Sequence, residues 1–119
     1  RMPKSWDLGT LGFQVYWEAV GSTTSSVVWG LQANDVGDNE AMNYSDTTFS
    51  DVTDTGQSGG YELYISSRAT LTVGSTPTTG NLLYFRFRRN PADASDTYGN
   101  DAGLVGLLID YGTTSGNDD

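Results

Sequence analysis

The side chains in this sequence that could carry chemistry are nearly all carboxylates. Fifteen Asp and Glu residues stand against six Lys and Arg, for a net charge of −9, and the chain contains neither His nor Cys. Without an imidazole, no side chain has an ordinary pKa suited to proton transfer near neutral pH, so Ser-His-Asp, Cys-His and His-metal catalysis are all excluded. The lack of Cys removes disulfides and thiolate metal sites as well. What remains is what paired carboxylates can do, either ligating a hard cation or working as the acid and base of a glycoside hydrolase. Asp35, Asp38 and Glu40 form one acidic cluster, and Asp93, Asp96 and Asp101 form another. Neither has the spaced Asp and invariant Gly of a helix-loop-helix calcium loop. Carboxylates in such loops usually bond their own backbone as turn formers, so no metal site is expected. Glu18 and Glu62 are the best strand-borne candidates for a catalytic pair, but both fall at outward positions where a sheet in water simply carries charge. The expectation is a protein without catalytic residues or cofactor, and so not an enzyme.

The elements that position these residues are strands. Fifteen glycines and frequent Ser, Thr, Asp and Asn separate short apolar runs, and helical spacing of apolar residues is absent. In the run 13–19, Phe13, Val15, Trp17 and Ala19 share one face while Gln14, Tyr16 and Glu18 share the other, as a half-buried strand requires. After the turn residues 21–25, Val27, Trp29 and Leu31 repeat the alternation, so the two runs read as a hairpin with both Trp rings in the core. Residues 33–41 read as an acidic loop, and 44–52 as an edge strand anchored by Phe49. Tyr61, Leu63 and Ile65 share a face of a further strand, and Leu71 and Val73 are the inward residues of the one after it. Pro77 and its Ser, Thr and Gly neighbours mark a loop. The next strand, 82–89, sets Leu83, Phe85 and Phe87 against Tyr84, Arg86 and Arg88. Residues 90–101 form another acidic loop. The run 104–109 is apolar on both faces, which suits a central strand covered on both sides, or one covered on one side with a partner on the other.

Seven or eight such strands in 119 residues specify a single all-β domain, an antiparallel β-sandwich of jelly-roll type, with an immunoglobulin-like sandwich as the alternative. Residues 1–10 read as a linker continuing from an N-terminal part, and 112–119 as a polar tail. A sequence pI near 4.1 repels polyanions, so nucleic acid is not an expected partner. No run of about 18 apolar residues is present, so no membrane-spanning helix is expected either.

Two sets of outward residues could mediate recognition. Tyr16, Tyr64 and Tyr84 are expected on outer faces, where clustered rings would stack on a sugar or bury against another subunit. Arg86 and Arg88 on an acidic domain will seek carboxylates, either within the chain, with Glu62 or Asp110 as candidates, or on a neighbouring subunit. Tyr84, Arg86 and Arg88 are therefore the expected subunit interface, together with the second face of 104–111.

The order of several segments adds a resemblance. The aromatic strand Phe13 to Trp17, the Val-Val-Trp strand Val27 to Trp29, the aromatic-Arg strand Tyr84 to Arg89, the Asp-Ala-Ser-Asp-Thr loop 93–97 and the closing strand Leu104 to Tyr111 follow one another over roughly residues 10–111. This order resembles the β-sandwich domain found near the C-termini of tailed-bacteriophage virion structural proteins. The resemblance implies a virion location, as a capsid decoration or cement, fibre or tail-associated module, assembled with itself as a homo-oligomer, commonly a trimer, and with other virion proteins. A carbohydrate- or receptor-binding module of a surface protein or phage adhesin is the alternative function.

Overall fold

The computed structural model describes residues 1–42 and 48–114. Its strands are β1 (Trp6–Ala19), β2 (Ser26–Val36), β3 (Ser50–Thr55), β4 (Leu63–Ile65), β5 (Ala69–Leu71), β6 (Leu82–Arg89) and β7 (Ala102–Thr113). They form two antiparallel sheets packed face to face, a β-sandwich with no helix among the described residues. In the first sheet β1 is central, with β7 along one side and β4 and β5 end to end along the other. In the second, β2 is central between β3 and β6. The strands thus divide four and three.

Period-two alternation places the core where the sequence indicates. Phe13, Val15, Trp17 and Ala19 of β1 and Val27, Trp29 and Leu31 of β2 are all buried and belong to one cluster between the sheets. Trp17 meets Tyr64 at a ring-centroid distance of 4.8 Å and Trp29 at 6.2 Å, while Trp29 stacks on Phe87 at 5.3 Å. The indole N–H of Trp17 donates to Asp54 at 2.8 Å, so the most buried ring also finds a partner for its polar atom.

Several local expectations are corrected. β1 and β2 do not form a hairpin: they lie in different sheets, so 20–25 crosses between layers and the two Trp rings face each other across the core. β2 runs on to Val36, because Asn34 and Asp35 pair with Tyr84 and Leu83, and the acidic loop begins later than its composition implies. The expected linker contributes residues 6–10 to β1, with Trp6 buried and paired to Thr113. β7 accordingly extends through Thr113, two residues into the expected tail, of which 115–119 lie outside the described residues. The predicted edge strand 44–52 is observed as β3, starting at Ser50; its first part, 44–47, also lies outside them. In β4 the face is reversed: Tyr61, Leu63 and Ile65 share the outer side, and Tyr64 points inward beside Trp17. Finally, the doubly apolar run 104–109 is not central. β7 pairs with β1 alone and forms an edge.

Both central strands carry a glycine beneath a cross-strand ion pair. Gly12 of β1 lies between Thr70 and Asp110, and the Arg68 guanidinium crosses it to reach Asp110 at 2.5 Å. Gly30 of β2 lies between Asp51 and Arg88, which meet above it at 3.3 Å. A Cβ at either position would collide with a member of the pair, so the missing side chain makes room for a charge bridge on each outer face.

Candidate functional site

The acidic loops are organised as turns and clips. In the 90–101 segment, Asp93 accepts the Ser95 N–H at 2.8 Å, and Asp96 accepts from Arg89 through two guanidinium nitrogens at 2.7 and 3.0 Å. The Asp96 carboxylate also accepts the Val28 N–H, and its side chain is 1% exposed. The hydrogen bonds from Arg89 hold its carboxyl below the usual Asp range against the opposing effect of burial. Arg89 further donates to the carbonyls of Tyr98 and Asn100, and the Tyr98 hydroxyl donates to the Val20 carbonyl at 2.8 Å. One arginine therefore fastens the whole loop against β2. Sequence reasoning passed over this role; the available signal is that Arg89 breaks the alternation of its strand, sharing the inner side with Trp29, next to a carboxylate-rich loop.

In the other cluster, Glu40 accepts the Gly37 N–H at 2.6 Å, and Asp35, buried at the end of β2, accepts from Asn81 at 2.7 Å. Asp38 and Glu40 line a shallow hollow with Asn81 and Leu82, but they project from the same turn. Among the described residues no three carboxylates gather as a metal site requires. Glu18 and Glu62 are both exposed, on β1 and just before β4 respectively.

The three tyrosines do not form a platform. Tyr64 is 5% exposed, and its hydroxyl donates to the Gly59 carbonyl at 2.6 Å. Its assignment to an outer face is overturned, because register with Trp17 turns it into the core. Tyr16 sits on the outer side of the β1 sheet and Tyr84 on that of the β2 sheet, so they lie on opposite faces of the sandwich.

Arg86 and Arg88 share the outer face of the β2 sheet as expected, yet both are engaged within the chain. Arg88 pairs with Asp51 and stacks over the Phe49 ring at 4.0 Å; Arg86 lies over the same ring at 5.6 Å and donates to Gln32 at 3.4 Å. The partners are Asp51 and Gln32 in place of Glu62 and Asp110. Asp110 is taken by Arg68, whose hydrogen bonds draw its pKa down.

Exposed apolar side chains remain on two edge strands, Leu63 and Ile65 on the short β4 and a longer set on β7. Leu104, Val105 and Leu108 are 49, 60 and 45% exposed, and Leu107, Ile109 and Tyr111 are only half-buried against the core. Because β3 packs beside β5, the other two edges, β6 and β7, lie on the same side of the sandwich. There Phe85 and Phe87 are also half-buried, so the core is incompletely covered along this side. Compared with family models, curated proteins and solved structures, the chain matches none.

Proposed function

We propose that this chain is a non-enzymatic structural module of a virus particle, of the tailed-bacteriophage type, that works by self-association and by contact with other particle proteins. The observation that supports the assembly reading most is the exposed apolar strand β7 on an otherwise acidic domain: Leu104, Val105 and Leu108 are far more apolar than an isolated edge in water tolerates. The jelly-roll character, the homo-oligomer with its trimeric number, and the virion location rest on the segment order from Phe13 to Tyr111 and belong to this proposal. The glycan-binding reading has less support, since Tyr16 and Tyr84 stand on opposite faces and Tyr64 is buried.

The deciding experiment pairs sedimentation velocity at micromolar concentration with a broad glycan array, read with and without calcium. Concentration-dependent oligomers with no array signal support the module as an assembly unit. A monomer with array hits lost on Tyr84→Ala would replace that reading with carbohydrate recognition.

A further inference from the structure

We propose that the free edge of β7 is a strand-pairing interface whose occupant is the β7 edge of a second copy of this chain, joined antiparallel across a two-fold axis. This deepens the self-association reading above and rests on it, with a two-fold pair as the unit in place of the trimer.

Comparison of the four sheet edges carries the inference. An unpaired edge is a template for adding another strand, and proteins blunt such edges with short or broken strands, charges, prolines or bulges. β4 and β5 are three-residue pieces interrupted by 66–68. β3 carries Asp51 and Asp54 in six residues, and β6 carries Arg86, Arg88 and Arg89 in eight. β7 is twelve residues long, has no Lys, Arg or Pro, and bears the single charge Asp110. Its pairing with β1 shifts register twice, between Trp6 and Leu11 and between Tyr16 and Trp17, and the second shift leaves Val105 without a pairing partner on β1.

Charge selects the occupant. Two chains of net charge −9 repel each other wherever their carboxylates face one another. On β7 that repulsion is cancelled, because Arg68 holds Asp110 through both of its oxygens. Between Leu104 and Tyr111 the strand is therefore neutral and apolar, with the Glu18 and Asp7 carboxylates of β1 lying only against its ends at Gly103 and Gly112, and the strand best matched to that stretch among the described residues is β7 itself. An antiparallel strand meeting its own copy is isologous: each residue before the axis faces one after it, so one apolar, neutral sequence satisfies both sides. Such a pair would join the two β1 sheets into one and bring Leu104, Val105 and Leu108 into contact across the axis. It would also place the half-covered Phe85 and Phe87 rows of the two copies on the same seam.

The chain contains no cysteine, which makes single-cysteine crosslinking clean. Leu104→Cys, Val105→Cys, Gly106→Cys and Leu108→Cys would each be oxidised in the otherwise native chain, with Tyr84→Cys on the opposite sheet as control. A disulfide forms only where two Cα atoms come within about 7 Å, so the pairing predicts a covalent dimer at the one or two positions nearest the axis and none at Tyr84. Sedimentation of Val105→Lys/Leu108→Lys should read monomer where the unaltered chain reads an even-numbered oligomer, with the far-ultraviolet spectrum unchanged. An oligomer that survives the double Lys substitution, with no crosslink along β7, would overturn the inference while leaving self-association standing through another surface. A trimer whose crosslinks join β7 to a different strand would overturn it equally. A monomer for the unaltered chain throughout would remove both this inference and the assembly reading.

Discussion

β2 is polar along most of its outer face and β7 is apolar on both faces, yet the fold covers the first and exposes the second. Every residue of β2 after Ser26 is buried, whereas no residue of β7 is. The difference lies in what surrounds them. β2 has β3 and β6 on its two sides, the core beneath it, and a lid of Phe49, Arg86 and Arg88 over Gly30 and Gln32 on its outer face, where Val28 and Asn34 are hidden from water as well. β7 has β1 on one side and a half-covered core beneath it. Apolar residues on both faces are a signature of complete cover. In β2 the chain supplies that cover itself; in β7 it does not.

Charge placed on each strand should separate them most sharply. Val28→Lys puts an ammonium at a buried position beside Thr53 of β3 and should cost about 3 to 5 kcal/mol, enough to unfold a marginal domain. Val105→Lys should change stability by no more than about 0.5 kcal/mol, because its side chain already faces water in the single chain. Urea midpoints of the two variants, measured at the same protein concentration, test the contrast. A severe loss at Val105 under dilute, monomeric conditions would mean that β7 is more covered than described.

Truncation of the ring at the centre of the sandwich comes next. Trp17→Ala removes packing against Trp29 and Tyr64 and strands the Asp54 carboxylate, with an expected loss of about 3 to 5 kcal/mol. Chemical denaturation gives that value directly.

The clip that seals β2 should show itself through pH. Asp96 has a folded pKa below its unfolded value, so its contribution is fully present above the unfolded pKa and is lost as pH falls through the folded one. Asp96→Asn should therefore cost about 3 kcal/mol at pH 7. The gap from the unaltered chain should close as pH drops below about 4, near the ordinary Asp pKa. Asp110 is shifted in the same direction, but its pair with Arg68 lies in solvent. Asp110→Asn should leave the pH profile of stability almost unchanged in the same titration.

A modest effect is expected at the lid. Arg88→Ala loses one exposed ion pair and one contact with Phe49, together about 1 kcal/mol. A loss several times larger would mean that the lid, and not the neighbouring strands, is what hides the outer face of β2.

The legible part of this fold was the part set by local alternation. Phe13, Val15, Trp17, Leu31 and Leu83 announce their inward direction through their neighbours, and the core follows from them. Which strand lies beside which is a long-range matter. Nothing in residues 20–25 distinguishes a hairpin turn from a crossing between sheets, since both require the same Gly, Ser and Thr chemistry. The inward turn of Tyr64 was hidden for a related reason. Tyr61, Leu63 and Ile65 are the more apolar set, and only pairing with Trp17 shows that the opposite face is the covered one. At the candidate surface, Tyr84, Arg86 and Arg88 were correctly assigned to one face, but their partners Phe49, Asp51 and Gln32 come from strands and turns distant in sequence. The most informative signal, an apolar run too long to leave wet, was visible in 104–109; what could not be read was that the fold itself leaves it at an edge.

Amide hydrogen exchange along β7, resolved residue by residue at high and at low protein concentration, tests the central claim most directly. In an antiparallel pair alternate N–H groups of β7 point toward β1 and the others point away from it. If a second copy covers this edge, the outward-pointing set gains protection in concentrated solution and loses it on dilution, while the inward set stays protected throughout. Outward amides that exchange freely at every concentration would contradict the account.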